Sequence, residues 1–196
     1  MSLSIIHLSD VHINKQTDFI LSKAQSVYNA CSYHIDNCST VVIVVSGDIV
    51  FSGLKEQYNL AEKFFDELKS YIEQNRNSTV EFVFSAGNHD CNFQQNDSIR
   101  ETLISSLSNS DPDNAHINNI ISVQDNYFDF VSKYHDTYAY ENPNVYAYEK
   151  KLSINNNELL FVSVNTAWMS ELNEYPGRII IPTAMLPYTR HNTSYK

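Results

Sequence analysis

The sequence contains few of the residues that mark disordered, collagen-like or disulfide-stabilised proteins. Among 196 residues there are only 4 glycines, 5 prolines and 3 cysteines, while 42% of the residues are hydrophobic. A chain of this composition can bury the core of one domain, and sparse cysteines of odd number favour free thiols in a reducing compartment. We therefore expect a single globular domain over residues 1–196 and a cytoplasmic location.

Basic residues and long apolar runs are also scarce. The chain has 13 Lys and Arg against 23 Asp and Glu, a formal net charge of −10. It therefore lacks the overall positive charge that draws proteins to nucleic-acid backbones or anionic membranes. Bound cations can reverse the field inside a cleft, so the charge does not exclude a nuclease. No run approaches the roughly 20 apolar residues that span a bilayer, and we expect no membrane partner.

Four short apolar runs are typical of buried strands because they are rich in β-branched or aromatic residues. They are residues 3–8, 41–45, 80–84 and 159–164. Between the first three runs, the spacing of apolar residues predicts a strong helix over 55–76 and a weaker one over 19–35. Alternating strands and helices of this kind indicate right-handed crossover units and hence a largely parallel sheet.

The chain after residue 90 has a different composition. Residues 92–122 are rich in Asn, Ser and Asp and include NSDPDN at 109–114, which predicts irregular structure. An amphipathic helix is predicted over 123–134, and residues 146–165 predict a hairpin joined across Asn155-Asn156-Asn157. We interpret 92–150 as an inserted loop and helix region that contributes substrate selectivity.

Polar residues follow three of the predicted strands. In chain order they are Asp10 and His12, then Asp48, then Asn88, His89 and Asp90. Parallel strands place their carboxyl ends at one edge of a sheet, where ligands bind, and these residue types suit divalent cations. Each group alone also fits an ordinary turn or cap, but three groups about 40 residues apart favour one shared site. Gly47 and Gly87 predict sharp turns that direct the following side chain into that site.

The motifs Asp-x-His, Gly-Asp and Gly-Asn-His-Asp, in this order and spacing, resemble the first three motifs of the calcineurin-like metallophosphoesterases. The resemblance covers mainly residues 3–90, and the strand ending in SVNTAW at 163–168 fits it more loosely. It implies an α/β fold, a four-layer sandwich of two mixed β-sheets flanked by helices, with a two-metal site at one rim.

The resemblance also implies a role for each motif residue. Asp10 and His12 would bind the first metal, Asp48 would bridge both metals, and Asn88 would bind the second. His89 would be catalytic, as a proton donor or charge stabiliser beside the scissile phosphate. Asp90 would orient its loop or accept a hydrogen bond from a ligand imidazole.

The cofactors implied are two divalent metal ions, with Mn²⁺, Fe²⁺, Zn²⁺ and Ni²⁺ all open. The implied reaction is hydrolysis of a phosphoric ester by a metal-activated hydroxide, as in a phosphodiesterase or nuclease, and nucleotides and nucleic acids are both open as substrates. We rank small phosphodiesters and nucleic-acid ends above phosphoproteins.

Members of the family also supply later histidine ligands, including a Gly-His-x-His motif that this sequence does not contain. The histidines after His89 are His116, His135 and His191, and none stands in such a context. We expect the chain to be the front part of the domain, completed by a missing C-terminal segment, a further domain or another chain. The alternative is a regulatory or binding module with an incomplete, inactive site.

Overall fold

The computed structural model describes residues 2–107, 112–135, 147–154, 157–174, 177 and 179–181. The strands in these ranges are β1 (Leu3–Leu8), β2 (Thr40–Ser46), β3 (Thr79–Ser85), β4 (Ala147–Ile154) and β5 (Asn157–Val164). The α-helices are α1 (Ala24–Cys31), α2 (Lys55–Arg76), α3 (Ser98–Ser106), α4 (Asn114–Ile121) and α5 (Asp125–Val131). None of these helices is long and apolar enough to cross a bilayer.

The strands β1, β2 and β3 form a parallel sheet in that order, which confirms the prediction from the alternating pattern. Helix α1 connects the first two strands and α2 connects the next two, and the helices pack on each other. The register aligns Leu8 with Val45, and Val45 with Phe84. All three strands therefore end at the same edge of the sheet.

The main hydrophobic core lies between this sheet and its helices. The predicted apolar stripe of α2 is buried, and its ring Phe65 lies 5.4 Å between centroids from Phe84 of β3. Phe130 of α5 completes the group at 5.2 Å from Phe84. Edge-to-face aromatic contacts of this kind add about 0.5–1.5 kcal/mol beyond the area they bury. They hold α2 and α5 against the strand that leads to the Gly-Asn-His-Asp motif.

The predicted hairpin is present as the antiparallel pair of β4 and β5, although Asn155 and Asn156 lie outside the described residues. Side chains attach it to β3: the Phe84 N–H donates to Tyr148 Oη at 2.6 Å, and Ser163 Oγ donates to the Phe84 carbonyl at 2.7 Å. The fold is therefore α/β with two sheets flanked by helices, as expected.

The prediction of irregular structure over residues 92–122 is wrong, because this range contains α3 and α4. Its aspartates, which indicated a loop, act as helix N-caps. The Asp97 carboxylate accepts from the Arg100 N–H at 2.8 Å, and that of Asp113 from the His116 N–H at 2.8 Å. A cap of this type stabilises a helix by about 1 kcal/mol, which offsets weak intrinsic helix propensity.

Two of the predicted helical ranges contain helices that are shorter than predicted. The range 19–35 contains a 3₁₀ turn at Phe19–Ser22 followed by α1, and the range 123–134 contains α5. Of the loop predicted at 109–114, residues 109–111 lie outside the described residues.

His135, which follows α5, makes the stability of the fold sensitive to acid. Its ring lies 4.8 Å from that of Tyr148 and 6.1 Å from that of Phe84, between centroids. Burial, assisted by the nearby Lys150, lowers the pKa of His135 to about 4. The other charged residues of the cavity beside it are Glu81, Glu149 and Lys151.

We predict that His135 lowers the stability of the protein as the pH falls from about 6.5 to about 4, while Asp90, whose pKa burial raises to about 6, contributes in the opposite direction. In this window the unfolded chain binds a proton at His135 that the folded chain excludes, a cost of at most about 3 kcal/mol. Urea unfolding at several pH values measures it. His135→Gln should remove the His135 contribution, so that as the pH falls its free energy of unfolding drops less or rises more than that of wild type, whereas His34→Gln, at an exposed position, should follow wild type. Equal slopes for wild type and His135→Gln would show that another group titrates.

Candidate metal centre

The loops after β1 and β2 run side by side beyond the edge of the sheet. The Asp10 N–H donates to the Gly47 carbonyl at 3.4 Å, and the His12 N–H donates to the Asp48 carbonyl at 3.0 Å. These bonds continue the pairing of the two strands past their ends. They place the Asp-x-His and Gly-Asp motifs next to each other.

Three of the motif residues have a left-handed backbone conformation. The φ angles of Asp10, His12 and Asp48 are 54°, 50° and 52°. This region costs a residue other than glycine of order 1–3 kcal/mol, and Asp, Asn and His are several-fold enriched in it. Such conformations persist where the surrounding structure holds them, and here they turn the site residues out of the strand direction.

The structure brings His12, Asp48 and His89 together. Each offers one ligand atom, and these atoms all lie within 4.8 Å of one another. The His12 Nε2 atom is 3.9 Å from Asp48 Oδ2 and 3.9 Å from Asp10 Oδ1. These distances are too long for hydrogen bonds. Two ligands of one cation, each bound at about 2.0–2.2 Å, lie at most about 4.4 Å apart, so the spacing suits a shared ion.

The surroundings of His12 test whether the site fits a cation. Its Nδ1 atom is buried and has no hydrogen-bond partner among the described residues. Buried polar atoms are nearly always paired, so the protein leaves this imidazole incompletely satisfied. The other ring nitrogen, Nε2, faces the carboxylates of Asp10 and Asp48, and an imidazole nitrogen beside two carboxylates is a donor set that fits a divalent cation.

His89 is held in place by the loop after β2. Its backbone N–H donates to Asp48 Oδ1 at 3.0 Å, and its Nδ1 lies 2.7 Å from the Phe51 carbonyl. Because a carbonyl only accepts, Nδ1 carries the hydrogen and Nε2 is the atom left for chemistry. The ring meets that of His12 edge-on, with 4.6 Å between centroids. In this position Nε2 can coordinate a cation or, when protonated, donate to a substrate.

Asn88 is exposed and lines a cavity together with His89. Asp10 is exposed as well, with 68% of its side chain accessible to solvent. The metal-binding roles of Asp10, His12, Asp48 and Asn88, and the catalytic role of His89, stay predictions.

The buried Asp90 carboxylate ties the loop after β3 to the loop after β2. Its Oδ2 accepts from the Gly87 N–H at 2.9 Å and the Ile49 N–H at 3.3 Å. Its Oδ1 accepts from the Val50 N–H at 3.2 Å and the Tyr58 hydroxyl at 3.0 Å. Burial raises the pKa of Asp90 to about 6, although all four hydrogen bonds favour its ionised form. Of the two roles suggested for this residue, these contacts support orientation of the loop.

The two glycines of the motifs are required for different reasons. Gly47 has a φ of +91°, which agrees with the predicted turn. Gly87 has an ordinary φ of −107°, so the predicted reason is wrong there. A Cβ atom at Gly87 would instead lie 2.2 Å from Asp48 Oδ1, where there is no room for it. The third motif thus needs glycine so that the Asp48 carboxylate can approach the backbone.

Sequence reasoning missed two residues that position the centre. The Phe51 carbonyl orients His89, and the Tyr58 hydroxyl reaches Asp90 from inside the apolar stripe of α2. A backbone carbonyl leaves no signal in a sequence. A tyrosine within a helical stripe is interpreted as core, so neither residue could have been found from its pattern.

A family model supports what the motifs indicate. The model described as calcineurin-like phosphoesterase matches residues 3–195, well beyond the range covered by the motifs. Because the match spans nearly the whole chain, the protein belongs to the calcineurin-like phosphoesterase family. The chain has no significant match among the curated proteins or the solved structures. Membership supports metal-dependent hydrolysis of phosphoesters, with the ligand cluster as the candidate centre.

We predict that Asp48→Asn lowers the amount of bound Mn²⁺ at least tenfold. The substitution removes a central carboxylate charge, and a loss of about 1.4 kcal/mol of binding free energy already lowers the affinity tenfold. Elemental analysis after dialysis measures it. Asp129→Asn, at an exposed position on α5, is the matched control and should retain the wild-type content. Equal metal content in the two variants would contradict the assignment.

A second prediction concerns the buried carboxylate. Asp90→Asn replaces an acceptor by an amide donor facing N–H groups, and should destabilise the fold by at least about 2 kcal/mol and weaken Mn²⁺ binding. Tyr58→Phe removes one donor to Asp90 and should cost only about 1 kcal/mol. Urea unfolding and metal titration compare the two variants. If Asp90→Asn retained wild-type stability and metal affinity, Asp90 would not be the residue that positions these loops.

Proposed function

We propose that the protein is a phosphodiesterase that works with two divalent cations bound beyond the carboxyl ends of β1, β2 and β3. The observation that carries the proposal is the convergence of the side chains of His12, Asp48 and His89 in a member of this family. Asp10 and His12 would hold the first ion and Asn88 the second, with Asp48 shared between them. The identity of the ions stays open among Mn²⁺, Fe²⁺, Zn²⁺ and Ni²⁺.

When bound, such ions lower the pKa of a water molecule to supply hydroxide and neutralise charge on the phosphoryl oxygens. The chain supplies the geometry. Asp48 has one oxygen engaged by the His89 N–H, while the other faces His12, so its carboxylate is fixed in orientation. A carboxylate held in this way can set the spacing of two cations without reorganising during the reaction.

His89 would supply the proton that the leaving group takes up. As an imidazolium it donates Nδ1–H to Phe51 and keeps a proton on Nε2. When hydroxide bonds to phosphorus and the bond to the leaving oxygen breaks, that oxygen takes the Nε2 proton. A positioned general acid contributes about 10²–10⁴-fold to the rate.

The sequence also favours a second candidate, because it contains no Gly-His-x-His motif. In that case the chain is a regulatory or binding module that holds an ion without turning over substrate. Assay of the Mn²⁺-loaded protein with bis(p-nitrophenyl) phosphate separates the two functions. Release of nitrophenol that is lost in Asp48→Asn supports the enzyme, whereas bound metal without turnover supports the module.

We predict that His89→Ala lowers turnover by about 10²-fold or more for an alkyl leaving group and less for p-nitrophenol, which leaves without protonation. Its metal content should stay close to wild type, as measured by elemental analysis on the same sample. His34→Ala, at an exposed position, serves as the control and should match wild type in both respects. Loss of metal along with activity would make His89 a ligand, and an equal rate loss for both leaving groups would exclude a general acid.

A further inference from the structure

A cavity of about 500 Å³ adjoins the candidate metal centre. His89 and Asn88 form part of its lining, so it opens directly onto the residues proposed to handle the phosphoryl group. The lining includes residues 92–94, which belong to the segment 92–150. It also includes Glu171, Leu172 and Glu174 from the chain after β5. Pockets of this size suit small molecules.

Apolar side chains line this cavity although they lie at the surface. Phe51 is 48% exposed and Leu172 is 74% exposed, and Phe93 lies beside them in the lining. Exposed large apolar residues that gather beside reactive groups mark a ligand site. The Phe51 ring is 5.4 Å from the His89 ring between centroids. An organic group attached to a phosphoryl group at His89 would therefore reach Phe51.

The charged groups of the cavity are acidic. Glu171 and Glu174 belong to its lining, and none of its described lining residues is Lys or Arg. The formal charge of the whole chain is −10. Proteins that follow a nucleic-acid strand need a basic groove for successive phosphates, and this cavity offers the opposite charge.

We propose that the substrate is a small phosphoester that carries one phosphoryl group and an uncharged aromatic group, as a nucleoside does, with the aromatic group in this cavity against Phe51 and Phe93. The inference rests on the proposed function and narrows it. It selects a small diester over a polynucleotide, because each further phosphate would approach the acidic side chains of Glu171 and Glu174.

Two substrates with the same leaving group and the same charge test the aromatic preference. They are the 2,2,2-trifluoroethyl ester of thymidine monophosphate and methyl 2,2,2-trifluoroethyl phosphate, whose leaving group carries no ring, both assayed with the Mn²⁺-loaded full chain. We expect kcat/KM to be at least about tenfold higher for the thymidine ester, since burying a group of this size is worth more than one tenfold step. Phe93→Ala should reduce the ratio at least about fivefold. Phe19→Ala changes a ring that is 75% exposed outside the cavity and should leave the ratio unchanged.

Binding of non-hydrolysable probes gives a readout that does not depend on turnover. Phenylphosphonate should bind the Mn²⁺-loaded protein at least about tenfold more tightly than methylphosphonate by calorimetry, and Phe93→Ala should remove the difference. If the wild type hydrolyses both esters equally well and binds both phosphonates equally, the cavity inference is overturned while the proposed function stands. If phenylphosphonate is preferred but neither ester is hydrolysed, the proposed function fails and the aromatic site stands.

The acidic lining has a separate test. A single-stranded oligothymidylate should inhibit hydrolysis of the thymidine ester weakly in the wild type. It should inhibit at least about threefold more strongly in Glu171→Gln/Glu174→Gln, because two repulsive charges are removed. Glu158→Gln, at an exposed position on β5, is the control and should match wild type. Strong inhibition or cleavage of the oligonucleotide by wild type would overturn the choice of a small substrate.

Discussion

The candidate metal centre depends on one interaction, the capture of backbone N–H groups by the buried Asp90 carboxylate. Removing a carboxylate from water is costly, and here N–H groups from two different loops and the Tyr58 hydroxyl offset that cost. Since the donors belong to the loops after β2 and β3, satisfying the charge also fixes the two loops relative to each other. Asp48 and His89 stand in these loops, so their mutual geometry follows from this carboxylate.

The close approach of the Asp48 carboxylate to the backbone is the second constraint on the centre. Asp48 Oδ1 lies against the backbone at Gly87, where a Cβ atom would be 2.2 Å away. The left-handed conformations of Asp10, His12 and Asp48 store strain that the neighbouring strand pairing must hold. A centre built in this way is preorganised, because its side chains need not move far to meet a cation or a phosphoryl group.

The cavity beside the candidate metal centre is assembled from distant parts of the chain, and a buried arginine joins them. Arg100 of α3 donates to the Ile120 carbonyl at 2.7 Å and to the Ser170 carbonyl at 2.8 Å. Ser170 directly precedes Glu171 and Leu172, which line the cavity. The Arg100 side chain therefore anchors one wall of the cavity to the helices that follow the third motif. The capped helices α3 and α4, unexpected from their composition, thereby take part in shaping the site.

The sequence by itself determined the parallel sheet, helix α2, the hairpin and the edge at which Asp10, Asp48 and His89 would meet. Those features follow from local periodicity and from the rule that parallel strands end together, both of which a sequence displays directly. Tertiary structure alone decided that Gly87 makes room for Asp48, that the Phe51 carbonyl orients His89, and that Tyr58 reaches Asp90. It also decided the cavity, whose walls are some 80 residues apart in the chain. The physical reason is that these contacts are distances between separate loops, and such distances are set only when the core has packed and the buried charge is satisfied.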